Sequence, residues 1–155
     1  MSLSKGFADE ETKAALAVRI NLGLYTGLLA ELEAETLGAE GALARIDEAF
    51  RLSNQVEHGC SLSFLHRLRG NILLKRDPAN AAPAEQAFRT AIAIATEQSA
   101  RSPGLRASLS LAKLYQATGR SVEAHDVLAP ALKGFSPTPE MPEIAEAQAL
   151  MERLA

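Results

Sequence analysis

The chain has 155 residues, of which 47% are hydrophobic, 23% charged and 5% aromatic, and its net charge is −3. This length suits one domain, and the composition is that of an ordinary globular protein. No run of about 18 apolar residues is present, and the first residues lack the apolar core of a signal peptide, so we expect a cytoplasmic protein and no membrane partner. A lone cysteine, Cys60, excludes an internal disulfide.

Charge is distributed unevenly along the chain. Residues 1–58 hold ten acids and five bases (−5), residues 59–133 five acids and ten bases (+5), and residues 134–155 four acids and one base (−3). Two interpretations remain open. The basic middle could face an anion, or the oppositely charged segments could attract one another when they stack.

Alanine and leucine, both strong helix formers, are abundant, and no short alternating run predicts a strand. Residues 1–8 are expected to be a disordered N-terminus or an expression scar. Asp9 is the predicted N-cap of a first helix that ends at Gly38. One buried face of this helix is predicted from apolar residues that recur every four positions: Leu16, Ile20, Leu24, Leu28 and Leu32.

Six further helices follow, each bounded by glycine, proline or a capping residue. They are predicted over residues 39–58 (before Gly59), 61–76, 83–99, from 102 to Gly119, from Ser121 as N-cap to Gly134, and 143–154.

Small and bulky residues recur at a fixed spacing. After Ala112, offsets of 3, 12, 16 and 19 place Tyr115, Ala124, Leu128 and Ala131, as in a tetratricopeptide repeat. Two weaker copies are Gly70 with Ala84, Phe88 and Ala91, and Ala30 with Ala42, Ile46 and Ala49. The sequence therefore predicts an all-α, α-α superhelix of about seven helices, built from tetratricopeptide-like antiparallel helical hairpins. Three helix pairs occupy residues 9–135. A Pro-rich break and a C-terminal capping helix occupy residues 136–155, with Glu143, Glu146 and Glu152 facing water.

The residues that carry the repeat also resemble one family. FLHRLRGNILL, DP, AEQAFRTAIAIATEQSARSPGLRASLSLAKLYQATGR and VLAPAL resemble the C-terminal tetratricopeptide-like region of bacterial multidomain signalling regulators. Such proteins join an adenylate or guanylate cyclase domain, or a LuxR-type output domain, to an ATPase domain and a helical tail. The resemblance covers residues 24–155, although SPTPEMPE stands where members often have an acidic turn. It implies a non-catalytic tail that senses a ligand or partner, or holds the regulator together.

The residue pattern indicates neither an enzyme nor a metal or cofactor site. His58 and Cys60 stand close together, but zinc needs three or four such ligands, and no second pair has suitable spacing. No phosphate-binding Gly-x-x-x-x-Gly-Lys loop is present. His66 is expected to face a neighbouring helix or solvent, and His125 to be solvated beside Asp126.

The repeat geometry predicts one candidate site. In tetratricopeptide arrays the first helix of each pair lines a concave groove, which places Arg67 and Asn71 around Gly70, and Arg106 and Lys113 around Ala112. These four side chains could hold a carboxylate or an acidic peptide, since arginine binds carboxylates with two hydrogen bonds. The open alternative is that they are exposed or ion-paired with acidic neighbours.

Three functions are compatible with this sequence. The leading one is a protein–protein interaction or sensory module whose partner is a protein, a peptide or another domain of the parent protein. A second is a scaffold that self-associates into a homodimer. A third is nucleic-acid binding, motivated by Arg67, Arg69, Lys75, Arg76 and Arg89, but opposed by the acidic total and the lack of interleaved aromatics.

Overall fold

The computed structural model describes residues 3–53 and 61–154, with the side chains of 3–11, 16, 19 and 20 left out. Within these ranges the chain forms seven α-helices and no strand, which confirms the predicted all-α class. The helices are α1 Leu3–Thr36, α2 Ala39–Ser53, α3 Leu62–Arg76, α4 Ala82–Glu97, α5 Arg101–Ala117, α6 Ser121–Leu132 and α7 Pro142–Leu154. None of them, over the described ranges, has the length and apolar character that a membrane crossing requires.

The helices pack in consecutive pairs, α1 with α2, α3 with α4 and α5 with α6, and α7 packs on α5 and α6. Each odd-numbered helix also contacts the next odd-numbered helix, whereas α2, α4 and α6 do not contact one another within the described residues. Because the odd helices lie closer together than the even ones, the stack curves with its odd helices on the concave side.

Glycines end several helices, as predicted. Gly38, Gly119 and Gly134 have φ angles of 103°, 76° and 81°, a region that other residues adopt only at a cost. Past Gly119, the backbone N–H of Arg120 donates to the carbonyl of Tyr115 at 2.8 Å. Gly59, like His58 and Cys60, lies outside the described residues.

Two predicted helix starts are wrong. Helix α1 begins at Leu3, so Asp9 lies inside it, and no proline between them stops the helix from extending. Ser121 is the first residue of α6 rather than its N-cap. Arg120 occupies the N-cap position, and its side chain makes no capping hydrogen bond. Arg120 instead reaches Glu123, to which its Nε donates at 2.7 Å.

The core consists of the repeat residues. All of the following are at most 2% exposed: Ala30, Ala42, Ile46, Ala49, Ala84, Phe88, Ala91, Ala112, Tyr115, Ala124 and Leu128. Ala131 is only partly buried. The small residues of the odd helices, Ala30, Gly70 and Ala112, are spaced by 70 − 30 = 40 and 112 − 70 = 42 residues. This period exceeds the roughly 34 residues of a tetratricopeptide repeat.

The predicted apolar face of α1 is wrong in its C-terminal part, whereas Leu24 is partly buried. Leu28 and Leu32 are 41% and 67% exposed, while Leu16 and Ile20 lie outside the described side chains. The helix buries its small residues instead, because they admit neighbouring helices at close range. A Cβ added to Gly23 would lie 2.3 Å from Ser53 Oγ, and one on Gly27 would lie 2.5 Å from Leu65 Cδ2.

A polar cluster joins α4, α5 and α6 around Glu85. The Tyr115 hydroxyl donates to Glu85 Oε1 at 2.8 Å, and Arg120 Nη1 donates to Glu85 Oε2 at 2.7 Å. Arg89 Nε also donates to Glu85 Oε1, at 3.0 Å. The Arg120 guanidinium lies 4.0 Å from the centre of the Tyr115 ring. Tyr115 is thus buried with its hydroxyl at the rim, whereas Tyr25 is 62% exposed.

Candidate functional site

The four predicted groove residues lie together on the concave side. Arg67 and Asn71 come from α3, and Arg106 and Lys113 from α5. They line three cavities of about 280, 290 and 480 Å³ that share lining residues, and Arg67 lines all three. We call this surface the concave groove.

Two of the four groove residues, Arg106 and Lys113, face carboxylates of α7. Arg106 Nε lies 2.7 Å from Glu143 Oε1, and Lys113 Nζ lies 2.6 Å from Glu146 Oε1. The expectation that the α7 glutamates face water is wrong for Glu143, which is only 25% exposed because α7 packs against α5. Glu146 and Glu152 are exposed as predicted, although Glu146 also lines the groove. Asn71 Nδ2 donates to Glu31 Oε1 at 3.5 Å, the outer limit of a hydrogen bond.

The contact between Arg106 and Glu143 is incomplete. Although the ion-pair distance is short, Arg106 Nε and Glu143 Oε2 are both buried with no hydrogen-bond partner among the described residues. The N–H is therefore not aligned with the carboxylate, and the attraction is mainly Coulombic. Unsatisfied buried polar atoms are uncommon and destabilising, so this pair retains hydrogen-bonding capacity for a ligand.

Arg67 is the cation of the groove that lacks a direct partner. It is half-buried, its guanidinium lies 5.4 Å from the centre of the Phe64 ring, and it makes no ion pair in the described part of the chain. The pKa of Arg67 is lowered, mainly by burial and in addition by the nearby charge of Arg106. The carboxylates of Glu31 and Glu143 act in the opposite direction and raise the pKa. Arginine stays protonated under such shifts, so the centre of the groove holds a positive charge that has no direct ion pair among the described residues.

Most other cations of the basic middle segment are neutralised by carboxylates. Pairs across the three charge segments are Lys75–Glu35, Arg76–Glu40, Arg69–Asp47, Arg106–Glu143 and Lys113–Glu146. Arg89 pairs with Glu85 within α4. The interpretation that oppositely charged segments attract on stacking is confirmed for these pairs. Within the acidic first segment, Glu33 also pairs with Arg45.

The two described histidines lie where the sequence predicts. His66 packs against Phe50 with ring centres 4.6 Å apart. Burial, and secondarily Arg69, lowers the pKa of His66. His125 is about half exposed, with Nδ1 3.7 Å from Asp126.

Sequence reasoning missed the acidic side of the groove. Glu143 and Glu146 are three residues apart and so share a helix face. That face adjoins the buried residues Ile144, Ala147 and Leu150. The spacing of these apolar residues in the sequence could have indicated that the two glutamates lie next to the buried face of α7 rather than on its opposite side.

No protein-family model matches the chain, and neither a curated protein nor a solved structure matches it.

Proposed function

We propose that this chain is a non-catalytic, tetratricopeptide-like interaction module that binds an acidic peptide segment in its concave groove. The supporting observation is Arg67, a half-buried guanidinium with no ion pair among the described residues, at the junction of three cavities. A carboxylate can take two parallel hydrogen bonds from such a group, with more strength than neutral partners provide.

Binding proceeds by exchange of ion pairs. One ligand carboxylate binds Arg67, and others replace Glu143 and Glu146 at Arg106 and Lys113. A ligand oxygen at Arg106 replaces the ion pair with Glu143 and gains a hydrogen bond from Nε, which has no aligned partner in the described chain. The resident glutamates set a threshold, because a single weak carboxylate cannot displace both.

We place the module in the tail of a larger cytoplasmic bacterial signalling or transcriptional regulator, on the resemblance of residues 24–155. The repeat period of this chain is longer than that of common tetratricopeptide repeats, and the helix pairs of the chain are correspondingly extended. Nucleic acid is a poor ligand for it, because most of the cations that suggested it are paired with carboxylates. Coding sequence for a cyclase or ATPase upstream in the same reading frame supports this context, and a start codon immediately before Lys5 contradicts it.

Arg67→Ala is expected to weaken peptide binding by at least about tenfold, since the charge-assisted hydrogen bonds are lost. The probe is a fluorescein-labelled hexapeptide of alternating Glu and Leu, titrated by fluorescence anisotropy. Its Gln–Leu counterpart should bind weakly to both proteins, and the difference between the two peptides should shrink in Arg67→Ala.

Arg51→Ala is the matched control, because Arg51 is an exposed arginine of α2 that pairs with Glu48. It should leave the affinity unchanged. If Arg67→Ala and Arg106→Ala both bind the Glu–Leu peptide as the unmodified chain does, the groove is not the peptide site.

Self-association is a second candidate function, supported by an exposed apolar stripe on α1. The α1 stripe consists of Val18, Leu22, Tyr25, Leu29 and Leu32, which are 64%, 47%, 62%, 52% and 67% exposed. Their spacing of 4, 3, 4 and 3 residues is that of a coiled-coil seam. Five such side chains offer on the order of 500 Å² per copy, and two copies about 1,000 Å², the lower limit for a specific interface. The stripe itself holds no charge that would repel a second copy.

Leu29→Glu is therefore expected to abolish dimerisation, because it buries a charge in the seam of the paired α1 helices. Sedimentation velocity at two protein concentrations measures the effect. Val122→Glu is the control, since Val122 is 75% exposed on α6, away from the stripe, and it should not change the sedimentation coefficient. A chain that is monomeric at both concentrations contradicts this second function.

A further inference from the structure

A mainly apolar cavity of about 600 Å³ opens between α4 and α6, above α5. It lies on the side of the even-numbered helices and shares no lining residue with the concave groove. Its apolar walls include Ile92, Ala95, Leu105, Val127, Pro130 and Ala131. Ligand pockets in proteins have volumes of about 300–1,000 Å³ and similarly apolar walls. We call this space the outer cavity.

The repeat explains why this space is open. Helices α2 and α3 align with α4 and α5 by a shift of 42 residues, which relates Ile46 to Phe88 and Gly70 to Ala112. The same shift relates Phe50 to Ile92 and His66 to Ser108, because 92 − 50 and 108 − 66 are both 42. In the earlier unit the Phe50 and His66 rings pack together at 4.6 Å. In the later unit two smaller side chains occupy those positions and line the outer cavity.

The Ser108 hydroxyl lines this cavity without a hydrogen-bond partner among the described residues. Ser108 is 2% exposed, and its hydroxyl makes no hydrogen bond to any other residue that the structure describes. Its oxygen is not among the fully buried polar atoms that lack a partner, so it remains in contact with the cavity space. An oxygen atom of a molecule inside the cavity would satisfy it.

Positive charge stands at the mouth of the cavity. Arg101 and Lys133 both line it, against one carboxylate, Asp126. Arg101 is held in place, since its Nη2 donates to the Lys133 carbonyl at 2.7 Å and its guanidinium lies 4.5 Å from the centre of the Phe135 ring. Its remaining N–H groups are available to an anion, since a guanidinium carries five donors.

We propose that the outer cavity binds a small amphipathic carboxylic acid whose apolar chain carries a hydroxyl or keto oxygen. The chain occupies the apolar interior, the oxygen on the chain bonds Ser108, and the carboxylate lies at Arg101 and Lys133. This site is separate from the peptide groove, and neither depends on the other.

The test is a titration of the ¹⁵N-labelled chain with 3-hydroxydecanoate, decanoate and 1-decanol, followed at the amide of Gly104, which lines the cavity. Saturable shifts below the micelle concentration are expected, with 3-hydroxydecanoate binding best. Arg101→Gln should weaken both acids and leave 1-decanol unchanged. Absence of saturable shifts with all three probes overturns the proposal.

The double variant Ile92→Phe/Ser108→His fills the cavity with the pair found one unit earlier, so the chain should fold and lose at least about tenfold in affinity. Unchanged affinity in a folded double variant places the ligand elsewhere. Ser108→Ala keeps the proposal testable if the double variant does not fold. It should abolish the preference for 3-hydroxydecanoate over decanoate, and a retained preference contradicts the role of Ser108.

Discussion

Replacing Gly70 with alanine is expected to lower the free energy of unfolding by about 1–3 kcal/mol, although alanine is the better helix former. A Cβ at this position would lie 2.4, 2.7 and 2.9 Å from three atoms of the Phe88 ring. Phe88 is fully buried, so the ring has no free space to move into. The α3–α4 crossing must widen, and the core around Phe88 loses contact.

Gly41→Ala is the matched control, because Gly41 also lies within a helix but has nothing within 4 Å of the added Cβ. It should stabilise the chain by up to about 1 kcal/mol. Urea denaturation followed by circular dichroism compares the two variants. Equal stability of Gly70→Ala and Gly41→Ala contradicts the close crossing.

The contribution of the Phe88 ring to stability can be tested by removing it. Phe88→Ala should cost about 3–5 kcal/mol. Combining Gly70→Ala with Phe88→Leu should cost less than the sum of the single changes, because the smaller side chain makes room for the new methyl group.

Acid is expected to destabilise the chain through Glu85. Its hydrogen bonds from Arg120, Tyr115 and Arg89 lower the pKa of Glu85 from 4.5 to about 2, against the opposing effect of burial. Because the folded pKa is below the unfolded one, the stabilisation is fully present above pH 4.5 and is lost as the pH falls towards 2. The shift corresponds to at most about 3 kcal/mol, which solvent screening reduces to about 1–2 kcal/mol.

Glu85→Gln should remove this pH-dependent contribution and lower stability at pH 7 by about 1–2 kcal/mol. Urea denaturation at several pH values between 2 and 7 measures it. Glu97→Gln, at the exposed end of the same helix, should retain the pH dependence of the unmodified chain. An identical acid-induced loss in the unmodified chain and in Glu85→Gln means that other carboxylates are responsible.

The candidate groove was predictable in part. The repeat register assigned Arg67, Asn71, Arg106 and Lys113 to the concave side, and the structure brings them together. The pairing of Arg106 and Lys113 with α7 was not predictable, because the Pro-rich residues 136–141 precede that helix and the local pattern does not set its docking angle. Arg67 differs from the other cations only through its surroundings, which a linear sequence does not contain.

Local chemistry by itself determined the helices and their ends. Alanine and leucine make helices throughout, glycine adopts the positive φ that ends α1, α5 and α6, and the small and bulky residues at repeat positions become the core. Tertiary packing decided which face each helix buries. In α1, leucines at every fourth position predicted the inner face, but Gly23 and Gly27 lie there because neighbouring helices approach too closely for larger side chains. The outer cavity is lined by Ile92 and Ser108, which stand where the preceding unit packs two rings, and this difference in volume becomes visible once the two units are compared in space.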